Sequence, residues 1–200
     1  SVPSVFQTSI AEPITYTPVH SNGKKIALLD CGVKHGILRA LLHHGYTLIR
    51  LPYTANPLEY SDIDGIFCSN GPGDPKDWKA PVSAIRKSLQ QNLPYTGVCL
   101  GHQLLALAVG ADTYKLSYGH RGLNQPCQDI LTKQSFLTSQ NHGYAVDSKT
   151  IPTEFTEWFI NLNDRTNEGI KHKTKPIRST QFHPEGNPGP FDTEFIFSLL

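Results

Sequence analysis

Short apolar segments alternate with one-sided helical segments through the first half of the chain. The predicted strands are 25–30, 46–51, 64–69 and 95–98, and the predicted helices lie at 37–42, at 82–89 and after Gly101. Strands that alternate with helices usually pair in parallel, with helices covering both faces of the sheet. The pattern predicts an α/β, doubly wound domain with a mainly parallel central sheet, and such sheets place their sites at the C-terminal strand ends.

The second half is richer in strands, which we predict at 113–117, 135–139, 158–162, 169–172 and 177–182. Residues 1–24 contain Pro3, Pro13 and Pro18 without a sustained period, which predicts an extended connector with one short strand. The chain begins without Met and ends in an apolar run that we interpret as the middle of a helix. We therefore expect a piece of a larger polypeptide, with its domain at 25–200.

Composition limits the function classes. The 200 residues fit one soluble globular domain, with 38% hydrophobic and 18% charged residues and no run near the roughly 20 apolar residues of a spanning helix. A net charge of +1 gives no basic surface for nucleic acid. Four widely spaced cysteines offer no C-x-x-C motif, which favours free thiols in a reducing compartment, the cytoplasm. We expect neither a membrane nor a nucleic-acid partner.

A cysteine lies at a predicted strand-to-helix turn. Residues 97–103 read G-V-C-L-G-H-Q, directly after an apolar strand and before an apolar helix. Flanking glycines let strand and helix approach closely, and a helix N-terminus favours thiolate at Cys99 and offers the Leu100 N–H to an oxyanion. Most lone cysteines are buried structural thiols, so this motif alone leaves both interpretations open.

A second motif supplies a base. Residues 181–185 read Q-F-H-P-E, and positions i and i+2 of an extended segment share one face, so Glu185 can orient His183. The alternative is an ordinary strand-end histidine, which is our interpretation of His43, His44 and His172. His102, beside Cys99, is expected to pack or hydrogen-bond locally.

Together the two motifs resemble the class I, or triad, glutamine amidotransferases. The resemblance implies that Cys99 attacks the glutamine side-chain amide to form a γ-glutamyl thioester, that His183 carries protons and that Glu185 orients it. Further segments are similar to the amidotransferase part of carbamoyl-phosphate synthetase. They are S-N-G-P-G-D-P at 69–75, R-G-L-N-Q-P at 121–126, S-Q-N-H-G-Y-A-V at 139–146 and N-P-G-P-F-D-T at 187–193.

The same resemblance implies the remaining site residues. Gly73 joins Leu100 in the oxyanion hole. The implied substrate-binding residues are Gly71, Gly73, Leu100, Gln103, Asn141, Gly143 and Tyr144. Without the family, Asn141 and Gly143 could form a plain turn, Gln103 a surface amide and 121–126 a charged loop.

The resemblance also implies partners. Residues 1–24 are then the connector from a missing N-terminal domain, and the ammonia goes to an ATP-grasp synthetase, as a separate subunit or a fused domain. A thiolate and an imidazole suffice for the chemistry, so no cofactor or metal is expected. Carbamoyl phosphate serves pyrimidine and arginine synthesis, and both pathways stay open. The alternatives are a γ-glutamyl hydrolase, another triad amidotransferase and a non-catalytic regulatory module.

Overall fold

The computed structural model describes residues 8–200, which form a ten-stranded sheet and three α-helices. The strands are β1 (Ile14–Tyr16), β2 (Lys25–Asp30), β3 (Thr47–Pro52), β4 (Gly65–Cys68), β5 (Tyr95–Val98), β6 (Thr113–Asp129), β7 (Ser135–Val146), β8 (Phe155–Asn161), β9 (Asn167–His172) and β10 (Ile177–Thr180). The helices are α1 (His35–His43), α2 (Lys79–Gln90) and α3 (Leu100–Ala108). In this part of the chain no helix is long and apolar enough to cross a membrane.

The sheet has a parallel centre and an antiparallel extension. Its order is β1-β3-β2-β4-β5-β10-β9-β8-β6-β7, and the neighbours from β3 to β10 run parallel. Strand β1 is antiparallel to β3, and β9, β8, β6 and β7 continue the other edge in antiparallel pairs. The predicted parallel centre is confirmed, and the strand-rich second half is its extension.

Helices cover both faces of the parallel centre. Alternate residues of β2 point to opposite faces, so Ile26 and Leu28 pack with α1 and with the 3₁₀ helix Glu194–Leu199. Ala27 and Leu29 pack instead into the core formed with α2 and α3. This two-sided burial explains the continuous apolar run at 25–30 and confirms the doubly wound prediction.

The predicted lengths of two strands and the predicted last helix were wrong. β6 and β7 pair over much more than 113–117 and 135–139, so 121–126 is strand and not a charged loop, and Asn141 and Gly143 lie in a strand and not in a turn. Many side chains of β6 are at least partly exposed, so its sequence lacks an apolar period. The terminal apolar run forms a 3₁₀ helix.

The amino-terminal segment contains the one short strand that its sequence predicts. Ile14–Tyr16 pairs with β3 at the outer edge of the sheet. The first seven residues of the predicted connector lie outside the described residues. That 1–24 connects to a further domain stays a prediction.

We predict that Gly101→Ala destabilises the fold. A Cβ at Gly101 would collide with the Cys68 carbonyl oxygen, whereas one at Gly143 would meet no atom within 4 Å. Overpacking costs about 1–3 kcal/mol, and a collision with a backbone oxygen belongs at the upper end of that range. About 2 kcal/mol of net destabilisation remains after the roughly 1 kcal/mol that alanine gains over glycine in a helix. Urea denaturation should show this loss for Gly101→Ala and a change within about 0.5 kcal/mol for Gly143→Ala. Equal midpoints for the two variants would contradict the close packing.

Candidate active site

Cys99 is the single residue between β5 and α3. Its φ of 55° and ψ of −104° lie in a region that residues with a side chain rarely adopt. The Cys99 N–H donates to the Thr180 carbonyl at 2.8 Å, and its carbonyl accepts from the His102 N–H at 3.1 Å. A Cβ at Gly97 would lie 2.6 Å from the Gly101 carbonyl oxygen, so only glycines allow this approach. The order is the predicted strand, tight turn and helix.

His183 and Glu185 form a buried pair beside the cysteine. His183 Nδ1 donates to Glu185 Oε1 at 2.7 Å, and Cys99 lies close enough to the ring to raise the pKa of His183. The His183 N–H donates to the Ser139 carbonyl at 2.8 Å, which fixes the residue against β7. Glu185 lies in a turn and not in an extended strand, yet the two side chains meet as the sequence predicts.

The electrostatics favour a charged pair. Burial alone would lower the pKa of His183, but Cys99 and Glu185 outweigh it and raise that pKa to about 9. Burial would raise the pKa of Glu185, but the hydrogen bond and charge of His183 outweigh it, so that pKa falls. His183 is therefore protonated at neutral pH and can both stabilise a thiolate at Cys99 and deliver a proton.

Lys34 is a site residue that the sequence analysis missed. Its Nζ lies 3.6 Å from Glu185 Oε1 and 3.5 Å from His183 Nδ1. The Lys34 N–H donates to Asn70 Oδ1 at 3.0 Å, which ties the turn after β2 to the turn after β4. Lys34 follows a parallel strand whose C-terminal end shares an edge with that of β5, and this position was the available signal.

A cavity of about 310 Å³ opens above Cys99. Its lining includes Cys99 and the predicted residues Gly71, Gly73, Gln103, Asn141, Gly143 and Tyr144. The lining residues that were not predicted as site residues are Pro72, Asp74, Lys115, Arg121 and His142. Leu100, His183 and Glu185 are buried and are not among the lining residues. The structure thus gathers the predicted residues in and around one cavity.

Two backbone N–H groups near Cys99 lack protein acceptors. Within residues 8–200, neither the Gly73 nor the Leu100 N–H donates to a protein group. Gly71 packs against the Cys31 carbonyl oxygen and the Leu100 side chain, so the glycine loop lies against the start of α3. Trp78 Nε1 donates to the Pro72 carbonyl at 3.2 Å and holds this loop. Both N–H groups remain available to a ligand oxygen.

The amide of Gln103 is partly used by the protein. Gln103 Nε2 donates to the Tyr144 carbonyl and to Gln181 Oε1, each at 2.9 Å. Only its carbonyl oxygen is left for a ligand in the cavity. His102 is fully buried and bonded to Ser179 Oγ at 2.9 Å, and burial lowers its pKa to about 3. As predicted, His102 packs locally.

One group of potential metal ligands occurs in the described residues. The ligand atoms of His120, His142 and Glu168 lie within 4.8 Å of one another. These atoms already bond to each other and to Gln140, while His120 Nε2 bonds to Asp164 at 2.8 Å. The group borders the cavity through His142.

The fold and the cysteine site together define a class of protein. Residues 27–200 match the family model described as glutamine amidotransferase class-I. The match covers most of the chain, so the protein belongs to the class-I glutamine amidotransferase family.

Within this family, the chain is similar to small chains of carbamoyl phosphate synthases. The chain is 52% identical over 174 residues to the carbamoyl phosphate synthase arginine-specific small chain of Chaetomium globosum, covering 86% of this chain and 38% of that protein. It is 49% identical over 189 residues to the carbamoyl phosphate synthase small chain of Pyrococcus furiosus, covering 92% and 50%. The chain thus spans half or less of the length of these curated relatives.

Solved structures share the fold. A putative GMP synthase protein from Thermoplasma acidophilum superposes with a TM-score of 0.75 at 24% identity, covering 90% of this chain and 92% of that one. A glutamine amidotransferase from Thermotoga maritima superposes with a TM-score of 0.65 at 19% identity, covering 83% and 77%.

We predict that Glu185→Gln lowers the pKa of His183 below its value of about 9, because the amide removes one of the charges that raise it. The loss of the imidazolium should then begin at lower pH. A histidine NMR titration measures the shift directly. Asp164→Asn is the control, since Asp164 contacts His120 and not His183. An unchanged His183 titration in Glu185→Gln would contradict the pairing.

Proposed function

We propose that this chain is the glutaminase component of a carbamoyl phosphate synthase, hydrolysing L-glutamine to glutamate and ammonia. The observation that carries the proposal is the hydrogen-bonded pair of His183 and Glu185 next to Cys99, beside a cavity of about 310 Å³. Family membership and the named relatives support the choice of glutamine.

The first half-reaction forms a thioester. The Cys99 sulfur attacks the side-chain amide carbon of glutamine, and the carbonyl oxygen becomes an oxyanion within reach of the Gly73 and Leu100 N–H groups. When the C–N bond breaks, His183 gives its proton to the leaving nitrogen, which departs as ammonia. Glu185 holds the ring of His183 in place through the 2.7 Å hydrogen bond.

The second half-reaction releases glutamate. His183, now neutral, takes a proton from a water molecule that attacks the thioester carbon. The carbon–sulfur bond breaks, and Cys99 leaves as a thiolate next to the reprotonated ring. Lys34, 3.6 Å from Glu185, helps to keep that carboxylate charged throughout. The balance is glutamine plus water to glutamate plus ammonia.

The amino-acid end of glutamine carries an α-carboxylate and an α-ammonium group, and the cavity lining contains side chains of both charges. Lys115 and Arg121 are cations in its lining and Asp74 is an anion. We assign the α-carboxylate to the basic side and the α-ammonium to the acidic side. Gln103, Asn141, Gly143 and Tyr144 form the remaining contacts, with Gln103 acting through its free carbonyl oxygen.

The ammonia requires a synthetase partner. This 200-residue chain supplies only the glutaminase chemistry, so a carbamoyl phosphate synthetase subunit or fused domain would receive the ammonia. The arginine-specific name of the Chaetomium relative supports arginine synthesis as one destination. The four cysteines are free, which supports a reducing compartment, and we propose the cytoplasm.

We predict that Cys99→Ser loses about a thousandfold or more of the glutamine turnover, because a hydroxyl replaces the sulfur nucleophile next to His183. Glutamate release from glutamine measures this. Cys127→Ser, which changes another buried cysteine outside the cavity, is the control and should retain turnover. Equal turnover by wild type and Cys99→Ser would reject Cys99 as the nucleophile and favour a non-catalytic module.

We also predict a preference for free glutamine over γ-glutamyl peptides. A γ-glutamyl peptide keeps the α-carboxylate and α-ammonium of glutamine but carries a second residue on the amide nitrogen, and the cavity of about 310 Å³ must hold that residue as well, so kcat/KM should fall by about tenfold or more. Parallel assays with glutamine and a γ-glutamyl dipeptide provide the comparison. A strong preference for the dipeptide would instead assign the chain to γ-glutamyl hydrolysis.

A further inference from the structure

A buried cluster of polar side chains joins the four antiparallel strands behind the cavity. Glu168 on β9 is fully buried, and its Oε1 lies 3.2 Å from His120 Nδ1 on β6. The same oxygen accepts from Asn161 Nδ2 on β8 at 3.4 Å and lies 3.8 Å from His142 Nε2 on β7. One carboxylate therefore connects β9 with three other strands.

The cluster reaches the cavity wall through His142. This residue lines the cavity between Asn141 and Gly143. Its Nδ1 donates at 2.8 Å to the Tyr144 carbonyl, which also accepts from Gln103 Nε2. The wall segment 141–144 is thus held by α3 on one side and by the cluster on the other.

The pairing of β6 with β7 is interrupted at this place. The pairs His120↔His142, Arg121↔Asn141 and Gly122↔Gln140 are flanked by register shifts, between Lys115 and His120 on one side and between Gly122 and Gln125 on the other. A ladder that breaks on both sides of three pairs fixes those pairs less firmly than a continuous one. Other contacts must set the position of these three pairs.

We propose that Glu168 and His120 are positioning residues for the glutamine site, and that the ion pair between the buried Glu168 and the partly buried His120 fixes the cavity wall that carries Arg121, Asn141 and His142. The inference rests on the proposed function. Neither Glu168 nor His120 lines the cavity, so both act through the strands that do.

The charges around the pair are consistent with this role. Glu168 is the main cause that raises the pKa of His120, to about 9, although burial opposes it, and Asp164 adds to the effect from the other ring nitrogen. Burial raises the pKa of Glu168 despite its hydrogen bond to His120, so the carboxylate depends on that partner. Within residues 8–200 its second oxygen has no hydrogen-bond partner.

The test is the steady-state kinetics of Glu168→Gln, an isosteric change. We expect KM for glutamine to rise about tenfold or more with kcat within about twofold, because a misplaced wall weakens binding while the triad is untouched. Alkylation of Cys99 by iodoacetamide without glutamine should keep its wild-type rate. Glu157→Gln is the matched control, since Glu157 bonds to Ser148 and Asn167 and to no cavity residue.

A second pair of variants tests the donor at position 120. His120→Asn can still donate to Glu168 and should keep KM closer to wild type than His120→Leu, which removes the donor and leaves the carboxylate unpaired. These variants also decide the question if Glu168→Gln does not fold. Equal KM for both His120 variants and wild type would overturn the proposal.

The two proposals fail in different ways. A wild-type chain that releases no glutamate from glutamine rejects the proposed function. If the wild type hydrolyses glutamine but KM for glutamine is unchanged in Glu168→Gln, only the positioning role is rejected. The same holds if Glu168→Gln lowers kcat without changing KM. Stoichiometric zinc in the purified protein, measured by elemental analysis, would also overturn it, since a metal and not the ion pair would then hold the cluster.

Discussion

The strained backbone of Cys99 is the constraint on which the site depends. A side chain at a φ of 55° is held only where the surroundings outweigh the strain, and here they consist of close backbone packing. Gly97 lies against Gly101, and Gly101 lies against the carbonyl of Cys68. The start of α3 thereby packs closely onto β4 and β5. This leaves the sulfur at the edge of the sheet and, among residues 8–200, leaves the Leu100 N–H without a protein acceptor.

The parallel order of the strands explains why the other groups arrive at the same edge. The C-terminal ends of β2, β4, β5 and β10 lie side by side, and Lys34, the glycine loop, Cys99 and His183 follow them respectively. Each group comes from a different part of the sequence, yet each lies only a few residues after the end of a buried strand. The buried centre therefore fixes their separations, and the turns between strand and site are short.

The sequence predicted the parts of the fold that are buried on both sides. The run at 25–30 is apolar because both faces of β2 are covered. A continuous apolar run can be recognised in the sequence without knowing which elements cover it. The sequence predicted where β6 and β7 begin but underestimated their lengths, because Arg121 and Asn141 are paired strand residues with partly exposed neighbours. Lys34 was missed for a different reason: its position after a buried strand is visible in the sequence, but only the shared edge of the folded sheet relates it to Glu185.

The cavity has two walls with different physical origins. The wall at Cys99 and Gly73 belongs to the parallel centre, where close backbone packing holds Cys99 and the hydrogen bond from Trp78 to Pro72 holds the glycine loop. The opposite wall belongs to the antiparallel extension, where the strands are interrupted and the buried contacts are polar. A charged residue such as Glu168 is costly to bury unless it is paired, so its place behind this wall requires His120. Polar contacts are directional, and this gives a thin, partly exposed hairpin the fixed geometry that close backbone packing gives the nucleophile.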